Sequence, residues 1–326
     1  MRHILLASDG SSYAEEAAAF LARLPGIGKL QVTVLTVVDI PYVNDSFLSG
    51  EWLVEAIAHE KAVATENLKQ IDAYFEHVPL TPRRIIREGA RGDTIVEVAK
   101  EEQADLVVLG ARGHSGVERL LLGSTSDYVA THAHCSVLVV RPRGRTEETR
   151  RGGGRPTDEA VGSGTAASRR PLRIAIGYEG SHTAEAALEE VGEVNWGSGA
   201  EFHVVSVVSY LAGLFHETDV HFEAIRNAAM ETAGKAAEQL NKRVPNTYPH
   251  TVENPHSGEG LVRFVEEQQC DLIVVGEAPR NLVGRMLLGS VSRFVLRHAP
   301  CSVWIARNRA AHHAATEPLA TRTATT

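Results

Sequence analysis

Glycine, arginine and serine recur in this chain at a spacing that suits an anion. Gly110-Ala-Arg112-Gly113 is followed, nine residues on, by Gly123-Ser124-Thr125-Ser126. The apolar run Asp105-Leu-Val-Val-Leu109 precedes the segment and reads as a buried strand, and a helix-like stretch opens at Ser124. Glycine lets backbone approach a ligand with no Cβ in the way. A serine at a helix start leaves amide N–H groups pointing outward, as a phosphate requires. Arg112 can pair with phosphate oxygens, and Ser124 and Ser126 add hydroxyls. Asp9, at the end of the run Ile4-Leu-Leu-Ala-Ser8, is a carboxylate able to accept from a sugar hydroxyl or an exocyclic amine. Each residue also has a plainer use. Asp9 can cap a helix starting near Ser11, Arg112 can be a solvated loop charge, and Ser124 can be an N-cap with no ligand.

The frame recurs. Gly276-Glu-Ala-Pro279, nine residues and Gly289-Ser290 follow Asp271-Leu-Ile-Val-Val275. Ile4-Leu-Leu-Ala-Ser-Asp9-Gly lines up with Ile174-Ala-Ile-Gly-Tyr-Glu179-Gly, and His132-Ala-His-Cys135-Ser with His298-Ala-Pro-Cys301-Ser. A period near half the chain is too long for a solenoid repeat. It signals two homologous domains, and 326 residues give each enough length to bury a core.

Elements must hold these residues together. Each half alternates short β-branched runs with helical periodicity, the pattern of an α/β fold with a parallel sheet. The first half is read as strands over 3–8, 31–38, 83–87, 105–110 and 136–141, with helices over 11–24, 51–75, 93–102 and 124–132. Right-handed crossovers then give two tandem doubly wound domains, each an open five-stranded parallel sheet with helices on both faces. Ligands in such folds bind at the carboxyl ends of strands, near the switch point. Asp9, Val38 and Gly110 all fall at such ends.

Composition narrows the classes. Forty-three per cent hydrophobic and 23% charged is ordinary for a globular chain. A net charge of -8 argues against nucleic acid as a partner. No apolar run approaches a membrane span, and no signal-peptide pattern follows Met1, so the chain is read as cytoplasmic. Three cysteines make no disulfide framework, and Cys135 and Cys301 are expected as small buried residues. The stretch 142–170 carries seven Arg against four acids, with almost no large apolar residue, and reads as a flexible linker. The tail over 309–326 is similar. Its His312-His313 pair has no acidic or cysteine neighbour to complete a metal site.

An acid after the first strand, an apolar residue closing the second, and Gly-2x-Gly-9x-Gly-Ser after the fourth together resemble the universal stress protein family in its tandem form. The resemblance spans 1–141 and 171–308. It implies ATP, with or without Mg²⁺, in the crevice of the first domain. Ala7, Ser8 and Asp9 match the segment along adenine and ribose, and Val38 the residue whose backbone meets the adenine edge. Gly110, Arg112 and Gly113 match the first phosphate loop; Gly123, Ser124, Thr125 and Ser126 match the second. The second domain departs from the pattern. Glu179 replaces the aspartate, and Pro279 replaces a glycine, removing an N–H and fixing φ. Its site is therefore expected to be degenerate.

Other chemistries lack their signatures. There is no Gly-x-Gly-x-x-Gly after the first strand and no P-loop. Gly113-His-Ser-Gly116 falls one glycine short of a nucleophile elbow. A binding and regulatory role is thus expected, the alternative being a slow ATPase or autophosphorylating protein with His114 as its base. The late strands of the two halves are expected to pair antiparallel, as the family's single-domain members do between chains. Association into homo-oligomers is a further expectation.

Overall fold

The computed structural model describes residues 1–39, 50–113, 122–142, 171–209, 220–277 and 288–307, with the side chains of 50–53 and 220–221 left aside. The 143–170 part of the linker, the tail, His114 and Pro279 lie outside the described residues.

The first half runs β1 (His3–Ala7), α1 (Ser12–Ala22), β2 (Gln31–Val38), α2 (Gly50–Ala73), β3 (Arg83–Glu88), α3 (Arg91–Glu101), β4 (Leu106–Gly110), α4 (Ser124–His132) and β5 (Ser136–Val140). The second repeats it: β6 (Arg173–Gly177), α5 (His182–Glu193), β7 (Glu201–Val208), α6 (Val220–Asn241), β8 (Thr247–Glu253), α7 (Ser257–Glu267), β9 (Leu272–Gly276), α8 (Ser290–His298) and β10 (Ser302–Ala306). Strands β1, β4, β5 and β10 are buried along their whole length, because helices cover both faces of a parallel sheet. The outermost strands look different. β3 reads Arg-Arg-Ile-Ile-Arg-Glu, and β8 carries Pro249. Charge and proline blunt an edge against stray pairing.

The two sheets are one. Strand order is β3-β2-β1-β4-β5-β10-β9-β6-β7-β8, parallel within each half and antiparallel only where β5 meets β10. The apolar core divides by face of this sheet and not by half. One layer joins Ile4, Leu68 and Leu138 with Ile174, Phe202 and Trp304, and the other joins Leu5 and Val137 with Ile273 and Val303.

The seam is built by reciprocal polar contacts as well as by Val139 opposite Val303. The Arg307 N–H donates to Ser136 Oγ at 2.9 Å, and the Arg141 N–H to Ser302 Oγ at 3.1 Å. Each guanidinium crosses to the other half. Arg307 donates to the carbonyls of Ala130 and Cys135, and Arg141 to those of Leu296 and Cys301. Ala130 and Leu296 lie in the last turns of α4 and α8, where a cation meets orphan carbonyls and the negative end of the helix dipole. Burial lowers both guanidinium pKa values, that of Arg141 to about 10. Ser136 also donates to the buried carboxylate of Glu190, at 2.8 Å. The three cysteines are free and buried, as expected of Cys135 and Cys301. Among the described residues no helix is long and apolar enough to cross a membrane.

Candidate functional site

Strand ends β1, β2 and β4 and the starts of α3 and α4 enclose a cleft of about 840 Å³, counting its open mouth. The structure brings Ala7, Ser8, Asp9, Gly110, Arg112, Gly113, Gly123, Ser124, Thr125 and Ser126 together around it. Val38 is the exception: it is buried and does not line the cleft. Side chains alternate faces along a strand, so Leu35 and Val37 point where Val38 does not. The Val38 carbonyl accepts from the Gly89 N–H at 3.0 Å.

The remaining lining was not legible as a motif. Leu35, Val37, Ile95 and Leu109 make an apolar wall, and Arg91, in the first turn of α3, adds a second cation. Arg91 pairs loosely with Asp39 at 3.9 Å, and the Arg112 guanidinium lies 5.8 Å from the centroid of the Tyr13 ring, within cation–π range. Arg91 follows β3 as Asp9 follows β1, so its signal was its position at a strand-to-helix junction.

Helix α4 opens at Ser124, as read from the sequence. Gly123 is the N-cap, Ser124 is the first helical residue, and no side chain caps the helix. By contrast Ser11 Oγ accepts from Ala14 N at the start of α1. Serine at 124 is therefore an exposed hydroxyl beside first-turn amides that no side chain has claimed. These amides carry the positive end of the helix. Ser126 is engaged otherwise: its Oγ donates to the Gly110 carbonyl at 2.8 Å, which spends its proton and leaves the oxygen able to accept. The same latch joins Ser292 to Gly276 at 2.6 Å.

Asp9 partly realises its plainer use. Its Oδ1 accepts from the Ser11 N–H at 3.0 Å, while Oδ2 lies against Gly113. Two of the glycines are demanded by the protein itself. A Cβ at Gly110 would lie 2.6–2.7 Å from Tyr13, and one at Gly113 would collide with Asp9 Oδ2. Gly123 has no such demand. Its φ is -80°, and among the described residues a Cβ there would approach nothing closer than the Ala111 carbonyl at 3.4 Å. Gly123→Ala should therefore leave stability within about 0.5 kcal/mol of the parent. An anion seated on the α4 amides would meet that methyl, and its affinity should fall by about 1–3 kcal/mol. Gly113→Ala should lower both stability and affinity, since Asp9 must move. Calorimetry and thermal melts on the two variants check this; equal anion affinity in Gly123→Ala and parent removes the cradle.

A second cleft of about 860 Å³ lies in the equivalent place. Its wall of Val205, Val207, Leu261 and Val275 matches the first. Its polar shell does not. Tyr178 stands for Ser8, with its hydroxyl donating to Glu185 at 2.7 Å. Glu179 stands for Asp9, Ser257 for Arg91, and Glu277 for Ala111. Among the described lining residues there is no Lys or Arg. Degeneracy was expected from Glu179 and Pro279; the loss of Arg91 and the gain of Glu277 are the larger electrostatic changes.

Comparison with known proteins covers both halves. The sequence model of the universal stress protein family matches residues 1–141 and 172–307. A universal stress protein of Mycolicibacterium smegmatis is 26% identical over 317 residues, covering 94% of this chain and 97% of the relative. One from Methanocaldococcus jannaschii is 34% identical over 142 residues, 43% of this chain and 82% of its own length. Among solved structures, a universal stress protein of Archaeoglobus fulgidus superposes with a TM-score of 0.63 at 20% identity, covering 94% of this chain and 96% of the other. That last likeness is one of fold.

Proposed function

The chain belongs to the universal stress protein family over both halves, and from that premise we propose that it is a regulatory protein that binds ATP in its first domain. The observation that carries the reading is the meeting of an apolar wall, two arginines and an uncapped helix start in one cleft. Leu35, Val37 and Ile95 fit the faces of a base. Asp9 suits a ribose hydroxyl. Arg91, Arg112 and the amides of Ser124, Thr125 and Ser126 suit phosphates. Gly123 leaves room for them, which is the test of fit the protein's own packing does not explain.

We take the functional domains as 1–141 and 171–308, tethered by 142–170 and followed by a tail over 309–326, acting in the cytoplasm and as a homo-oligomer. The useful output is a population shift: bound ATP favours one arrangement of the loops around the cleft, by no more than its differential affinity for the two states.

A sensor reading is favoured over an enzyme by what surrounds the phosphate end. Asp9 is the one carboxylate among the described lining residues. Asp127, next to Ser126 in sequence, is held by Arg297 across the seam at 3.1 Å. Efficient hydrolysis needs a group that orients water and usually protein ligands for a metal. Steady-state turnover of Mg²⁺-ATP should stay well below the ~1 s⁻¹ low end of typical enzymes. Turnover above that rate, abolished by His114→Ala, makes the protein an ATPase.

A further inference from the structure

Two histidines meet at the outer edge of the second half. His203 lies on β7 and His250 on the neighbouring β8, in register with Val205, and His203 Nδ1 is 3.0 Å from His250 Nε2. His203 is buried and His250 half-buried. Phe264 of α7 packs on both rings, its centroid 5.9 and 5.0 Å from theirs. The first half builds the same place without imidazoles. Thr33 stands for His203, and the buried Ile85, in register with Leu35, stands for His250. An apolar side chain therefore suffices to pack this edge. The first half's own histidine at this layer, His3, has both nitrogens partnered, by the Glu102 carbonyl at 2.9 Å and Thr33 Oγ1 at 2.8 Å.

Two imidazoles in this contact share a single proton, since one nitrogen must donate and the other accept. A proton on both sets N–H against N–H and breaks the contact. The far nitrogen of His203, Nε2, is buried and has no hydrogen-bond partner, so a charged ring there would carry an N–H that nothing receives. Burial, and after it His250, holds the His203 pKa down to about 4, and burial lowers that of His250. The charges around the pair oppose one another. Glu201 on β7 favours the proton and Arg173 on β6 disfavours it, and the two are paired at 3.1 Å. Tyr248 on β8 is the other titratable neighbour, its ring 6.1 Å from that of His203. Among the described residues, α7 brings the Phe264 ring and no charge that acts on either imidazole.

From this we infer that His203 and His250 form a proton-operated clasp, which ties α7 to the β7–β8 edge at neutral pH and releases that edge in acid, while the matching edge of the first half stays closed. The unfolded chain takes up protons on histidine near the ordinary value of about 6.5. The folded pair takes them up only at lower pH. Stability from the clasp is therefore complete above about 6.5 and is lost as the pH falls from there toward about 4. The released edge adjoins the second cleft. Val205, two residues after His203, and Leu261, one turn before Phe264, both line it. The first cleft takes no described residue from this edge.

Thermal melts of the full chain at about pH 7.5 and about pH 5 test the clasp. His203→Thr combined with His250→Ile copies the first half and leaves no imidazole at the edge. Acid should lower the melting temperature of the parent by about 3 °C more than that of the double variant, because every other titrating group is common to both. Should the double variant not fold, His250→Gln takes its place, since its amide hydrogen-bonds without taking a proton. Hydrogen exchange on the parent, corrected for the intrinsic pH dependence of the rate, locates the change. The amides of β8 should lose protection by about tenfold or more at the lower pH, with those of β3 unchanged. An equal acid shift in parent and variant overturns the inference. So does protection in β8 that holds at both pH values, or that is lost equally in β3.

Discussion

Replacing Arg91 and Arg112 together by alanine should lower ATP affinity by about a hundredfold or more, with the melting temperature nearly unchanged. A hydrogen bond to a charged group contributes about 1.5–3 kcal/mol, which is about tenfold to a hundredfold for each arginine. Arg91 is 51% exposed, its pairing with Asp39 is loose, and Arg112 rests on Tyr13. Because they are partly exposed, part of the loss should also appear in the parent as salt rises. Calorimetric titration at two ionic strengths measures both effects. Unchanged ATP affinity in the double variant would leave the arginines as solvated loop charges.

The second large effect belongs to the seam. Arg307→Ala should destabilise the chain by about 3–5 kcal/mol, the usual cost of removing one partner of a buried ion pair. Three groups lose their donor at once: the carbonyls of Ala130 and Cys135, and the carboxylate of Glu277. The midpoint of thermal unfolding should fall by roughly 4–7 °C. Arg141→Ala should also destabilise, since the carbonyls of Leu296 and Cys301 lose their donor. Since both core layers run through both halves, unfolding should remain a single transition in the parent, and far-ultraviolet dichroism should follow it. Two separated transitions in the parent, or an Arg307→Ala midpoint within a degree or so, would mean that the halves fold independently.

These residues also mark how far the sequence could be read. The strands, their order and the tandem repeat were legible because fully buried parallel strands leave continuous apolar runs, and the two halves repeat them in register. The pairing of β5 with β10 was expected as well, yet its chemistry was hidden. Arg141 and Arg307 follow apolar strands and look in sequence like solvated ends; only the antiparallel seam buries them.

Within the cleft the glycine-serine frame says nothing of the packing around its residues. Gly110 is required by the close packing of Tyr13, which no spacing of glycines reveals. Ser126 spends its proton on the Gly110 carbonyl. The apolar wall and Arg91 come from β2 and α3, elements far in sequence from the loops, and are brought in by the crossover connections. The Val38 side chain faces away from the cleft, whereas the role expected of Val38 was one of its backbone.

The central claim is that one chain binds one ATP, in its first domain. The most direct measurement is calorimetric titration of the full chain with ATP, paired with the same titration of the Arg91→Ala/Arg112→Ala variant. The expected result is a stoichiometry of one per chain in the parent and loss of that event in the variant. A stoichiometry of two, or one event that survives removal of both arginines, contradicts the account.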